Sequence, residues 1–158
     1  MDSSLVSSCA RAATAEEAAY RIDYPLAVAR NTRVVAIDPE AGQVVREASA
    51  LDWGQATFYV TSDPGHELVT MAGETVPLAG ELEGSNTVVM VSTSGANAEA
   101  AATIGAACKV RGIMTAGLVV TPGEITSEAL LTLRPYARIL LVPAEEDDLV
   151  ELLRAIRA

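Results

Sequence analysis

The chain has 158 residues, half of them hydrophobic, which suits a single domain with a complete core. Its 21 acidic and 11 basic residues give a formal net charge of −10. Such a surface repels phosphate backbones and anionic lipids, so we expect neither nucleic acid nor a membrane as a partner. Two isolated cysteines, no recognisable export signal and no apolar run of membrane-spanning length favour a cytoplasmic location.

The first part of the chain is predicted to hold an arm, a helix and a strand. Residues 1–13 are expected to be flexible. A helix capped by Thr14 follows and is broken at Pro25, and residues 33–37 form a buried strand. The helix either covers one edge of the sheet or docks against a second copy. The apolar helices around residues 12–29 and 149–156 lead us to expect a homo-oligomer.

A second helix is predicted directly after this strand. Asp38 stands at its cap position and Pro39 at its first helical position. Its buried face comprises Val44, Val45, Ala48 and Leu51. The next elements are a strand, a hairpin centred on Gly73 and Glu74, and a short helical connection, at residues 57–61, 66–78 and 79–84.

Residues 86–121 form one predicted strand–helix–strand unit. A valine-rich strand at 87–91 enters a hydroxyl-rich turn at 92–97, and a strand at 113–120 completes the unit. The helix between them carries Lys109 and Arg111 in its last turn and ends at Gly112. Its apolar face comprises Ala101, Ile104, Gly105 and Cys108, so we interpret Cys108 as a core residue.

The last elements are a helix, a strand and a helix, at 126–134, at 138–142 and from Pro143 onward. Strands alternating with helices predict a single α/β domain over residues 1–158. We expect a three-layer, Rossmann-like arrangement with a mainly parallel sheet and helices on both faces.

In sheets of this kind the ligand site lies at the carboxyl ends of the strands. The first such turn is unfavourable to phosphate, because Asp38 would cap the helix, Pro39 removes an amide donor and Glu40 adds negative charge. Binding of a ribose hydroxyl or a metal by Asp38 remains an alternative to a simple cap.

The 92–97 turn favours an oxyanion, since hydroxyls, a glycine and a helix N-terminus converge there with no carboxylate before Glu99 in the sequence. The alternative is that Ser94 or Asn97 only caps the helix and Gly95 eases the turn. The candidate ligand-binding residues are Ser92, Thr93, Ser94, Gly95 and Asn97.

Catalytic candidates are few. His66 is the only histidine, and no nucleophile motif accompanies it. Glu99 and Glu124 are the carboxylates that topology places best for a general base, and both could instead interact with helix N-termini. We predict no metal site and no cofactor.

Residues 88–99, which read VVMVSTSGANAE, resemble the Ser-x-Ser-Gly-x-Thr-x-Glu motif of SIS (sugar isomerase) domains, with Asn97 in place of the threonine. The resemblance covers the second half of the chain. It implies that Ser92, Ser94 and Asn97 bind the phosphate of a phosphosugar.

The path from residue 86 to residue 149 is also similar to the nucleotide-binding domain of FtsZ and tubulin. The 92–97 turn would correspond to the phosphate loop, followed by TSEALLTLRPYA as a helix and RILLVPA as the last strand. This resemblance implies a structural or interaction protein without nucleotide hydrolysis, because the loop here has fewer glycines.

The hypothesis that follows is a domain that binds a small phosphorylated ligand, a phosphosugar or a nucleotide, and acts as a sensor or accessory subunit rather than as an enzyme. The alternatives are the FtsZ/tubulin-like interaction protein and a small phosphosugar isomerase that uses Glu99 or Glu124.

Overall fold

The computed structural model describes residues 29–62, 64–121 and 127–158. The predicted arm, the predicted first helix and Glu124 lie outside the described residues. None of the helices in the described ranges is both long enough and apolar enough to cross a bilayer.

The described residues form seven strands and five helices. In chain order they are β1 (Thr32–Ala36), α1 (Pro39–Ser49), β2 (Ala56–Thr61), β3 (Glu67–Thr70), β4 (Thr75–Pro77), α2 (Leu78–Leu82), β5 (Thr87–Ser92), α3 (Ala98–Arg111), β6 (Met114–Val120), α4 (Ser127–Leu133), β7 (Ile139–Ala144) and α5 (Glu146–Ala155).

All seven strands belong to one sheet, in the order β4-β3-β2-β1-β5-β6-β7. The strands β2, β1, β5, β6 and β7 run parallel to one another, whereas β2 pairs antiparallel with β3 on its other side. The predicted hairpin is confirmed as β3 and β4, which pair antiparallel at one end of the sheet. The α/β class is therefore confirmed, and the sheet is mixed, with a parallel part of five strands.

Alternate residues of the central strands belong to two separate hydrophobic clusters, as the two-residue period of a strand requires. Val34 and Ala36 pack in one cluster with α1 and α5, whereas Val35 and Ile37 pack in the other with α2, α3 and α4. All six residues of β5 are buried, because this strand lies at the centre of the parallel part.

Two predicted features are wrong. Leu51 was expected on the buried face of α1, but the helix ends at Ser49 and Leu51 is 44 % exposed. Pro143 was expected to open the last helix, but β7 continues through it to Ala144. A proline is tolerated there because β7 is the last strand of the sheet and its register with β6 shifts between Leu118 and Val120.

Cys108 is a core residue, as predicted, with no exposed surface. Burial raises the pKa of its thiol to about 11, against the weaker lowering effect of Arg111. In a Cys9→Ala variant, which leaves Cys108 as the only thiol, we expect alkylation by iodoacetamide at about pH 8 to be more than about a hundredfold slower than in the urea-unfolded protein. Mass spectrometry of timed samples measures this rate, and similar rates in the two states would contradict the buried position.

Candidate functional site

The order of the parallel strands reverses between β1 and β5. From β1 the chain passes through α1 to β2 on one side, and from β5 it passes through α3 to β6 on the other. A crevice at the carboxyl ends of the strands is expected at such a reversal. The two turns that meet there, residues 38–40 and 92–97, are called the strand-end corner below.

The side chain of Asp38 fills the strand-end corner. It is fully buried, and its Oδ1 caps α1 by accepting a hydrogen bond from the Ala41 amide at 2.8 Å. Its Oδ2 accepts from Ser92 Oγ at 2.8 Å, from the Thr93 amide at 2.8 Å and from the Ser94 amide at 3.2 Å. One carboxylate therefore joins the turn after β1 to the turn after β5.

This contact corrects one part of the sequence interpretation. The 92–97 turn was expected to have no carboxylate near it, but Asp38 is bonded to it, and the Oγ of Ser94 donates to Glu40 Oε2 at 3.3 Å. The expectation that this turn favours an oxyanion is chemically consistent with the contact, since an oxyanion occupies it. That oxyanion is a side chain of the protein itself.

Asn97 is held in a conformation that differs from an ordinary helix cap. It has a left-handed backbone, with φ of 63° and ψ of 40°, and its side chain makes no capping hydrogen bond to α3. Instead its Nδ2 donates to the carbonyl oxygen of Ile37 at 3.0 Å, which is also the acceptor for Thr61 Oγ1 at 3.1 Å. Asn97 therefore ties the 92–97 turn to the end of β1.

The helix α4 closes the turn from another side. Gly95 has a φ of +80°, and a Cβ atom placed on it would lie 2.6 Å from the backbone nitrogen of Ala129. Thr132 Oγ1 lies 3.0 Å from the carbonyl oxygen of Gly95 and 2.8 Å from that of Glu128, and its single proton is shared between the two. The first turn of α3 is covered in a similar way, because a Cβ on Gly65 would lie 2.8 Å from the Cα atom of Ala100.

The surroundings of the strand-end corner are acidic. A cavity of about 580 Å³ adjoins it, and the carboxylates that line this cavity are Glu40, Glu145 and Glu146. Thr93 also lines it, and the buried Oγ1 of Thr93 has no hydrogen-bond partner among the described residues. The potential near these carboxylates disfavours a phosphate that approaches from this cavity.

The catalytic candidates are not brought together at the strand-end corner. Glu99 and His66 are both exposed, and neither is hydrogen-bonded to the 92–97 turn through its side chain in the part of the chain that the structure describes. Glu124 lies outside that part. In the same ranges no three or more His, Cys, Asp or Glu side chains are grouped so that they could hold a metal ion.

The residue that the sequence interpretation underestimated is Asp38. It was placed correctly at the cap of α1, but its second oxygen was assigned no partner in the 92–97 turn. The available signal was the order of the elements, since strand–helix–strand units that reverse direction bring two successive turns to one crevice. Comparison with protein-family models and with curated proteins yields no match, so the SIS and FtsZ/tubulin resemblances stay predictions.

Proposed function

We propose that this protein is a non-catalytic accessory or interaction domain of three-layer, Rossmann-like build, in which an internal carboxylate takes the place of a ligand's oxyanion. The observation that carries the proposal is the set of three donors on Asp38 Oδ2. Amide and hydroxyl donors that are already bonded to a buried charge are not free for a phosphate, and displacing that charge costs its hydrogen bonds. We also propose that the protein is cytoplasmic and homo-oligomeric.

A second candidate is the binding of a small phosphorylated ligand at Ser92, Thr93, Ser94, Gly95 and Asn97. Its specific support is that two successive amides and a serine hydroxyl already converge on one oxygen atom. A phosphate could use the same donors if the Asp38 side chain turned away, at the expense of the α1 cap. The isomerase alternative gains no support from the positions of the described side chains.

The two candidates differ in what the amides of Thr93 and Ser94 do when phosphorylated compounds are added. We expect that two-dimensional NMR of isotope-labelled protein will show no saturable shift of these two amide signals with a panel of phosphosugars and nucleotides, and that no compound is turned over. Saturable shifts of both signals, lost or weakened in a Ser94→Ala variant, would overturn the proposal in favour of the second candidate.

The Ser94→Ala variant is a suitable control because, among the described residues, the Ser94 hydroxyl makes two long hydrogen bonds, both at 3.3 Å, and we expect its loss to affect stability little. Measurement of mass in solution by light scattering tests the oligomeric part separately. A monomeric mass at all concentrations would contradict the proposed homo-oligomer. It would not affect the proposed role of Asp38.

A further inference from the structure

A larger cleft lies at the opposite, amino-terminal edge of the sheet. Its volume is about 830 Å³, within the range of small-molecule sites. It is formed by Arg30 and Asn86, which precede β1 and β5, by the last two turns of α3 with the start of β6, and by residues 135–138 after α4. It is therefore separated from the strand-end corner by the length of the strands.

The charge of this amino-edge cleft is opposite to that of the whole protein. Three basic side chains line it, those of Arg30, Lys109 and Arg138, and no acidic residue does so among the described residues. The chain has 21 acidic residues and only 11 basic ones, so a cleft lined by basic side chains differs in charge from the protein as a whole. An anion that enters the cleft meets a locally favourable potential.

These three cations are not neutralised within the described part of the chain. Within residues 29–62, 64–121 and 127–158, the ammonium and guanidinium groups of Arg30, Lys109 and Arg138 make no ion pair or hydrogen bond. The neighbouring Arg111 behaves differently, since its Nη1 donates to the carbonyl oxygen of Ala107 at 3.1 Å. Lys109 therefore does not close the end of α3 in the way that Arg111 does.

The wall of the cleft offers a flat apolar surface and a further donor. The Tyr136 side chain packs directly over Gly105, where a Cβ atom would come within 2.6 Å of it. Thr115 fixes this segment, since its Oγ1 donates to the Tyr136 carbonyl at 2.6 Å and its own carbonyl accepts from the Arg138 amide at 2.9 Å. Asn86 uses its Oδ1 to accept from an amide at 3.0 Å, which leaves its Nδ2 facing no described partner.

We propose that the amino-edge cleft binds a small organic anion that carries at least two negative charges and a ring or other flat apolar part. Arg30, Lys109 and Arg138 take the charges, and Tyr136 packs against the apolar part. Three like charges without a partner among the described residues repel each other around one cavity, and a bound dianion relieves that repulsion. This inference goes beyond the proposed function and does not use the donors of the 92–97 turn.

The test titrates phenyl phosphate into the full-length chain. Inorganic phosphate and phenol serve as matched comparisons. We expect saturable NMR shifts at the Gly112 and Arg138 amides with phenyl phosphate, weaker binding of inorganic phosphate, and no saturation with phenol. Lys109→Gln and Arg138→Gln should each weaken the affinity by about five- to tenfold, and the affinity should fall with added salt.

Two variants separate a built site from general attraction. Arg46→Gln removes the same charge from an exposed position of α1 outside the cleft and should change the affinity by less than about twofold. Ala106→Phe adds a ring at an exposed position that lines the cleft, without a change of charge, and should abolish the saturable shifts. Equal effects of Arg46→Gln and Lys109→Gln, or no saturable binding of phenyl phosphate, would overturn the inference. Shifts confined to the Thr93 and Ser94 amides would overturn both this inference and the proposed function.

Discussion

Replacement of Asp38 by alanine is expected to lower the free energy of unfolding by about 3–5 kcal/mol. The variant loses the α1 cap, worth about 1 kcal/mol, and the charge that satisfies Ser92 Oγ and the Thr93 and Ser94 amides. For a chain of this size the midpoint of thermal unfolding should fall by about 10–15 °C. Urea unfolding followed by circular dichroism measures the loss.

Asparagine at the same position separates the two roles of the Asp38 side chain. Asparagine caps helices as well as aspartate does, so Asp38→Asn keeps the bond from Oδ1 to the Ala41 amide. Because its only oxygen stays on the Ala41 amide, its NH₂ group faces the three donors of the 92–97 turn, which then have no acceptor there. We therefore expect a loss close to that of alanine. Full stability in Asp38→Asn would reduce Asp38 to a simple cap and remove the basis of the proposed function.

The exposed neighbour Glu40 supplies a matched control, since it touches the same turn only through a 3.3 Å contact with Ser94 Oγ. Glu40→Ala should leave the urea midpoint unchanged within error, because an exposed contact of that length contributes little. Formate at about 10–100 mM should restore part of the stability of Asp38→Ala, because its carboxylate can occupy the vacated oxyanion position. A smaller effect of formate on Asp38→Ala than on the unmodified protein would contradict this account of the turn.

The elements of the fold were predictable because each depends on residues that are close in the sequence. Asp38 and Pro39 define the start of α1, Gly112 with a φ of +68° ends α3, and the valine-rich strands are buried. The last strand was misjudged at Pro143, because a proline usually signals a helix start but is also tolerated at a sheet edge.

The contacts on which the proposed function rests depend on tertiary structure. Asp38 and Ser92 are 54 residues apart in the chain, and only the pairing of β1 with β5 brings their turns together. Each turn was interpreted from its own residues, one as acidic and the other as favourable to an oxyanion. The hydrogen bonds that join the two turns could not be predicted from either turn alone. The amino-edge cleft could not be predicted for the same reason, since Arg30, Lys109 and Arg138 come from three separate segments.

Substitution of Gly95 by alanine is the second change with a large expected effect. The left-handed backbone costs any residue with a Cβ about 1–2 kcal/mol. In addition, the new atom would lie 2.6 Å from the backbone nitrogen of Ala129 and 2.8 Å from its Cα, so the contact between the 92–97 turn and α4 has to open. We expect a total loss of about 2–5 kcal/mol in urea unfolding, since an overpacked backbone contact adds about 1–3 kcal/mol to the strain.

Gly73 provides the comparison that isolates the contact with α4. Its φ is +92°, close to that of Gly95, but a Cβ placed on it meets nothing within 4 Å. Gly73→Ala should therefore show the backbone strain alone, about 1–2 kcal/mol. The excess loss in Gly95→Ala then measures how firmly α4 closes the turn that holds the Asp38 carboxylate. Equal losses in the two variants would mean that α4 does not press on Gly95 in solution, and the turn would then be open to a ligand on that side.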